Sequence, residues 1–468
     1  GNDVLRVSGN HENPYFLAHD VNNSFDRHRI FGNVIANWQI SPSFSIRGRY
    51  ILNRTDETQE TKIAPGYLKE PNNGAYGIET STGMERNIDL LGTYQKDWND
   101  FAVAASVGGN LMYQKRSIIS NSSKSGSGLI VPNLFTVQNI SSGALSYSNS
   151  RYEKAINSVF ATANLSWRYL LFLDITARND WSSTLPSSNR SYFYPSASLS
   201  FLLNEVFDMG KVDMLKFRGG WAQVGNDTGP YRLNAVYGDA GQWGDASRLS
   251  KSGSLLAPNL KPEIATSIEY GIDLKAFSNR LRFEGTYYTV DNINQILRVP
   301  LAASAGFSSV QINAGLLQST GWEILLGGTP IQTNDWRWDL DLNFTKNETR
   351  VMELEEGVDF INFWSEAKVR SISYVKGYVA NPNDGPEDGM VGNLYSRKIM
   401  RVTDENSEYF GYPILGSGLD AEWQGEEQYS KIGNYNPDFI LGIQSALSWK
   451  NFSLNMTFDW RYGGQYVS

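Results

Sequence analysis

The side chains that could do chemistry in this chain are numerous but rarely grouped as a reaction needs. The chain has three histidines and no cysteine. His11, His19 and His28 lack the spacing that brings imidazoles onto one zinc ion. Without cysteine there is no thiolate nucleophile, no thiolate metal site and no disulfide framework. The acidic, turn-rich stretch 381–389, Asn-Pro-Asn-Asp-Gly-Pro-Glu-Asp-Gly, fails the calcium-loop pattern of oxygen ligands at alternate positions with a later Glu. It reads as a turn, with calcium the alternative. The serine-rich stretch 120–128 lacks the glycine spacing and Gly-Lys-Ser/Thr ending of a phosphate loop and reads as a loop tip. No nucleophile elbow occurs. Carboxylates are everywhere, so the residues alone do not refute a glycosidase pair. No cofactor is expected.

The charged residues show their pattern when the elements that carry them are considered. In Ala265–Phe277, Thr266, Ile268, Tyr270, Ile272, Leu274 and Ala276 alternate with Ser267, Glu269, Gly271, Asp273 and Lys275. Successive side chains of a strand point to opposite faces, so one face is apolar and the other charged. The same alternation marks fourteen segments: 28–40, 44–53, 87–95, 101–113, 157–167, 170–181, 191–201, 215–224, 265–277, 281–291, 321–328, 336–346, 439–449 and 452–461. Each has about the 9–11 residues that a tilted strand needs to cross a bilayer. Asp174, Arg178, Asp180, Lys216, Arg218, Glu269, Asp273, Lys275, Arg282, Glu284, Arg337, Asp339, Asp341 and Asp459 fall on the non-apolar face.

The connections give the segments a sidedness. Short turns at 41–43, 96–100, 168–169, 278–280 and 450–451, with somewhat longer ones at 202–214 and 329–335, close hairpins. Between the hairpins lie excursions at 54–86, 114–156, 225–264, 292–320 and 347–438; only 182–190 is brief. Short turns on one side and long loops on the other are the habit of outer-membrane barrels. A soluble sandwich or propeller has no reason to keep its long loops on one side. The longest excursion is expected to contain secondary structure of its own.

Composition agrees. The chain has 468 residues, 13% aromatic, with 13 Trp and 25 Tyr. Trp38, Trp167 and Trp449 stand just before short turns, and Phe44, Phe101, Tyr169, Trp336 and Phe452 at or just after them, where an interfacial girdle belongs. No run of 18 apolar residues exists, which rules out a spanning helix and not a barrel, since half of each barrel strand is polar. Against 49 acidic residues stand 41 Lys and Arg, a formal net charge of −8. That balance argues against nucleic acid as a partner. The chain starts at Gly1 without Met or a signal-type segment. It stops at Ser468 directly after a strand. The expectation is an all-β chain, 1–468, forming a barrel portion incomplete at both ends.

Several motifs carry a family resemblance. Ala177-Arg-Asn-Asp-Trp-Ser-Ser183 is followed by Phe193-Tyr-Pro-Ser-Ala-Ser-Leu-Ser-Phe201 and Leu215-Lys-Phe-Arg-Gly-Gly-Trp-Ala-Gln-Val-Gly-Asn-Asp227. Asn259-Leu-Lys-Pro-Glu263, Ser267-Ile-Glu-Tyr-Gly-Ile-Asp273, Gly321-Trp-Glu323, Ile432-Gly-Asn-Tyr-Asn-Pro-Asp438 and Asp459-Trp-Arg-Tyr-Gly-Gly464 come after, with Asn13-Pro-Tyr15 near the start. In this order the set resembles the SusC/RagA family of TonB-dependent outer-membrane transporters, although Phe16 stands where the family often has Trp. The resemblance implies a transmembrane antiparallel β-barrel of about 22 strands when complete, its lumen closed by a plug domain. The plug, the TonB-binding segment and the final strands are expected outside this sequence. The resemblance further implies a SusD-like surface lipoprotein as lid and TonB as energy partner. It implies import of oligosaccharides, or of peptides as in the RagA type, across the outer membrane of a Bacteroidota-type bacterium. A passive porin or surface scaffold is the competing class, and an enzyme explains a plug-sized barrel poorly.

Substrate contacts are then expected at two places. Arg178, Asp180 and Trp181 lie near the outer rim. Tyr231, Trp243 and Asp245 belong to one outer loop, and Trp364 and Trp423 to the longest; aromatic faces beside fixed polar groups suit a sugar. The competing reading gives the inward charges to holding the plug and keeping the lumen wet. It gives the loop aromatics to loop packing or contact with the lid.

Overall fold

A computed structural model describes residues 13–67, 73–124, 128–301, 303–313, 315–354, 360–369, 373–380, 389–397, 399–415 and 429–465. A short helix, Pro14–Asp20, is capped by the Asn13 side chain, which accepts from the Tyr15 amide at 2.8 Å. Fourteen strands follow: β1 (Val21–Ser41), β2 (Phe44–Ile63), β3 (Ala75–Trp98), β4 (Phe101–Ser123), β5 (Leu145–Trp167), β6 (Leu171–Ser182) and β7 (Ser191–Leu202), then β8 (Val212–Asn226), β9 (Glu263–Ala276), β10 (Leu281–Ile293), β11 (Leu316–Gln332), β12 (Trp336–Glu353), β13 (Pro437–Trp449) and β14 (Phe452–Gly463). They form one antiparallel sheet in chain order, each strand paired with its sequence neighbours. All fourteen segments of alternating polarity are strands of this sheet. The sheet is open, with β1 and β14 at its edges.

Register carries the alternation across the sheet, because directly opposed residues share a face. Trp98, Phe101, Trp167, Leu171, Phe201 and Phe217 are successive partners from β3 to β8. One position along, Asp97, Ala102, Ser166, Phe172, Ser200 and Arg218 form the matching row of the other face. Because period and pairing agree along most of the sheet, one face is largely apolar and the opposite face largely polar. Among the described residues the sheet has no central core; the buried apolar side chains sit in small clusters at the loop edge. Large apolar side chains of the apolar face such as Val34, Leu90, Val107, Phe193 and Phe458 stand exposed.

All seven hairpin turns lie on one edge of the sheet. Several use left-handed backbone to reverse the chain in two or three residues, with φ of 44° at Asn99, 52° at Arg168, 56° at Tyr169 and 50° at Lys450. Asparagine tolerates this conformation, and the closing ladder holds the others in it. Aromatics line this edge: Phe101 stacks on Trp167 at 6.5 Å, Trp336 on Trp449 at 5.5 Å and Trp449 on Phe452 at 5.9 Å.

The structure departs from expectation at the opposite edge. Strands β1 to β5 run for 21, 20, 24, 23 and 23 residues, about twice the length needed to cross a bilayer. The stretches 54–86 and 114–156 are therefore mostly strand, and the true connections shrink to 64–74 and 124–144. The period disappears from the sequence there because both faces are polar. The threonines of 55–61 and 80–82 still favour strand. The longest connection does contain structure, a four-stranded sheet of Phe360–Val369, Ser373–Ala380, Asn393–Arg397 and Tyr429–Asn434.

Candidate functional site

The polar face is held together by charges that reach across strands. Asp273 on β9 receives Lys216 Nζ at 2.8 Å and Arg218 Nε at 3.2 Å, both from β8. Arg218 continues over β9 and its Nη2 donates to Thr286 Oγ1 on β10 at 2.6 Å. Gly271 makes this path possible: a Cβ there would stand 2.6 Å from both Cζ and Nε of Arg218. The same device recurs where Arg282 on β10 reaches Asp341 on β12 at 2.6 Å, passing over Gly327 of β11. Arg49 and Asn110 meet on Asp89 at 2.7 and 2.5 Å, and Arg337 and Thr329 on Asp339 at 2.7 and 2.6 Å. Opposite charges sharing a half-buried face stabilise one another and the register.

At the long-loop edge the network tightens into two buried carboxylates. Asp180 accepts from Arg178 Nε at 2.7 Å and from Tyr194 Oη at 2.6 Å, while Arg178 Nη2 donates to Ser158 Oγ at 2.8 Å. The Arg178 guanidinium lies 5.6 Å from the Phe160 ring centre. Asp227, its side chain only 5% exposed, accepts from Lys154 Nζ at 2.5 Å, from Thr184 Oγ1 at 3.0 Å and from Ser182 Oγ. This fastens the start of loop 227–262 to the ends of β5 and β6. The other end of the loop is fastened by Leu260, fully buried against Leu185 and Tyr192. Asn189 Nδ2 adds bonds to the carbonyls of Asn259 and Leu260 at 3.0 and 3.3 Å. Loop 294–315 joins the same body: Ser254–Leu256 pairs in parallel with Ser309–Asn313, which pairs with Ile296–Pro300. Asn313 bridges the carbonyls of Lys261 and Asn294, each at 2.8 Å.

The structure brings some of the expected site residues together and separates others. Arg178 and Asp180 share the polar face and one hydrogen-bonded cluster. Trp181 stands on the opposite, apolar face, beside Asn157 of β5, so it does not join them. Tyr231, at φ 61°, and Asp245 are exposed, and Trp243 is 77% exposed at the tip of the hairpin Gly238–Trp243 and Ala246–Ser250. This hairpin projects from the fastened ends of its loop, and Tyr237 beside it is 71% exposed. Trp364 belongs to strand Phe360–Val369, its side chain outside the described residues. Trp423 and residues 381–388 also lie outside them. Lys154, Asp227, Asn189, Tyr194 and Asn313, which fasten the loops, were not singled out as site residues. Asp227 closes one of the motifs quoted above, but its partners come from residues 43 to 73 positions away, and no local pattern marks such a bond.

A second consolidated region lies where β2 and β3 project beyond the apolar band. Tyr76 is buried with Leu129, Ile140 and Ala144 of the folded-back loop. Its hydroxyl donates to Glu60 at 2.7 Å. Burial, helped by that carboxylate, pushes the Tyr76 phenol up to about 12. The hydrogen bond from Tyr76, then Lys62, holds Glu60 below the usual carboxylate range.

The match to known proteins follows this architecture. The family model described as TonB dependent receptor-like, beta-barrel covers residues 2–467. The chain belongs to that family. TonB-dependent receptor P3 of Formosa agariphila is 26% identical over 488 residues, covering 98% of this chain and 46% of that protein. TonB-dependent receptor SusC of Bacteroides thetaiotaomicron is 25% identical over 323 residues, covering 64% of this chain and 30% of that protein. Among solved structures, the RagAB peptide transporter superposes with a TM-score of 0.79 at 20% identity, over 97% of this chain and 49% of that one. That likeness shows the fold. The chain spans about half the length of the curated relatives it matches. As part of a TonB-dependent receptor barrel, the sheet turns its apolar face outward and its ion-paired face to the lumen.

Proposed function

We propose that this chain is the barrel of a TonB-dependent outer-membrane importer. In this reading it acts with a SusD-like surface lipoprotein as lid, and oligosaccharides are its cargo. The complete barrel would have about 22 strands, with the plug and the TonB-binding segment in the rest of the protein. The observation that carries the reading is the polar face. Fourteen strands in chain order present a wall of cross-strand ion pairs to the lumen, which suits a wide, wet, occupied interior rather than a dry core. The relatives that match this chain are named as receptors and transporters.

Oligosaccharide is favoured as cargo by the outer hairpin. Tyr237 and Trp243 are exposed beside Asp239 and Asp245, and flat aromatic faces next to carboxylates match the apolar faces and hydroxyls of a sugar. A peptide is the second reading, favoured by the fold shared with the RagAB peptide transporter. The test is uptake of labelled oligosaccharide by cells with and without inner-membrane energy coupling, together with mass spectrometry of ligand retained by the purified complex. Uptake should collapse without coupling. Trp243→Ala should weaken binding by roughly 30-fold, the lower end of a hot-spot aromatic's share. Uptake that survives uncoupling would make the protein a passive barrel. A retained peptide mixture without glycan would transfer the cargo to peptides.

A further inference from the structure

The outward face of β1 to β5 carries a feature that import does not use. Its rows of partnered residues can be followed upward from the apolar band. Val34, Tyr50, Ile88 and Leu111 form one row, and Gly32, Leu52, Arg86 and Tyr113 the next. Above them come Ile30, Arg54, Met84, Lys115 and Glu153, then His28, Asp56, Thr82, Ser117 and Arg151. Four cations, Arg54, Arg86, Lys115 and Arg151, thus occupy four adjacent strands within three rows. Neighbouring strands are about 4.8 Å apart and same-face rows about 7 Å apart, so the four span one headgroup-sized patch.

Two of these cations have carboxylate neighbours. Arg54 meets Asp56 at 2.9 Å and Lys115 meets Glu153 at 3.2 Å, and pairs this exposed are weak. Arg86 has no acid beside it; its guanidinium lies 4.8 Å from the Tyr113 ring centre. Arg151 is exposed and forms no ion pair among the described residues. Four cations against two carboxylates leave the patch positive. At this edge the last outward positions of β6, β8, β9 and β10, Trp181, Gly225, Ile264 and Ile293, carry no cation, and the outward Lys346 and Arg350 of β12 both bond to Glu348 between them. Directly beneath the patch, Ile88, Leu90 and Leu111 are exposed apolar side chains.

We propose that this patch binds the phosphate of a membrane lipid on the long-loop side of the bilayer. Guanidinium groups bind phosphate oxygens through paired hydrogen bonds, and exposed aliphatic side chains beneath receive an acyl chain. A soluble anion has no use for the apolar rows, and a neutral lipid has none for the cations. The proposal rests on the membrane-barrel reading above.

The test uses the full protein in phosphatidylcholine nanodiscs, with lipid A, dephosphorylated lipid A or inorganic phosphate added and bound species counted by native mass spectrometry. Lipid A should be retained selectively. Arg86→Gln with Arg151→Gln should weaken retention on the order of 30-fold, the share of two cations near a charged surface. Arg86→Lys with Arg151→Lys should keep most of it. Equal retention of the dephosphorylated lipid, or no effect of the double Gln variant in a protein that inserts normally, overturns the lipid-phosphate site alone. Inorganic phosphate bound as tightly as lipid A also overturns it, in favour of a free-anion site. Failure of the wild type to enter nanodiscs would overturn both this site and the membrane-barrel reading.

Discussion

Replacing Gly271 with alanine tests whether the lumen-facing ion pairs depend on glycine windows. The added Cβ would sit 2.6 Å from Cζ and Nε of Arg218 and 2.8 Å from its Cγ, so both head and stem of the arginine must move. The bond to Thr286 at 2.6 Å would be lost and the contact with Asp273 at 3.2 Å weakened. Lys216 at 2.8 Å would remain to neutralise Asp273. A hydrogen bond to a charged group contributes about 1.5–3 kcal/mol, and the partial exposure of Arg218 places this one at the lower end. Alanine returns about 0.5–1 kcal/mol through the unfolded chain. The net expectation is a loss of about 1 kcal/mol. The matched control is Gly220→Ala on the same face, where the Cβ would meet only Ser198 Cβ at 3.8 Å. Unfolding in detergent, followed by loss of the compact band on unheated gels, measures both. In an Arg218→Ala background the Gly271 substitution should cost nothing. If it costs the same there, or no more than Gly220→Ala in the parent, the window argument is wrong.

Two further substitutions probe the consolidated regions outside the lumen. Asp227→Ala leaves Lys154, Ser182 and Thr184 without their acceptor; breaking a buried pair costs roughly 3–5 kcal/mol. Limited proteolysis should then nick 228–256 while the barrel stays intact, and protection equal to the parent would refute the fastening role. Tyr76 and Glu60 give a pH window. The phenol is raised, so its contribution is complete below the unfolded tyrosine value of about 10 and is lost as pH rises through about 12. Glu60 is depressed, so its contribution is present above the ordinary carboxylate value and is lost as pH falls through the folded one. Protection of the amides of 75–80, that is exchange relative to the intrinsic rate at each pH, should therefore be greatest between these limits. Tyr76→Phe should remove the alkaline step, and an unchanged alkaline step would assign it to another group.

The strands were legible because the solvent differs on their two faces. Where lipid meets one face and water the other, selection of side chains leaves a period of two, as in Thr266–Ala276 against Ser267–Lys275. All fourteen strands, their order and the side of the long loops followed from that period and from connection length. Where β1 to β5 rise beyond the apolar band, water meets both faces, the period lapses, and strand reads as loop. The face of Trp181 was open to the same reading, since residue 181 has the parity of Leu173 and Ile175. Its adjacency to Asp180 in sequence suggested a shared site that the pleat forbids.

The chain's own residue order thus settled which side chains meet lipid and which meet the lumen, because that depends only on alternation along a strand. It also placed the chain among TonB-dependent receptors, because motifs such as those ending at Ser183 and Asp227 occur in order. Only the folded sheet decided who partners whom. Arg218 reaching Thr286 over Gly271, Asp227 gathering Lys154, Ser182 and Thr184, and four cations assembling on β2 to β5 all depend on register between strands. Register is a property of pairing rather than of any one strand, so contacts between residues tens of positions apart leave no local trace.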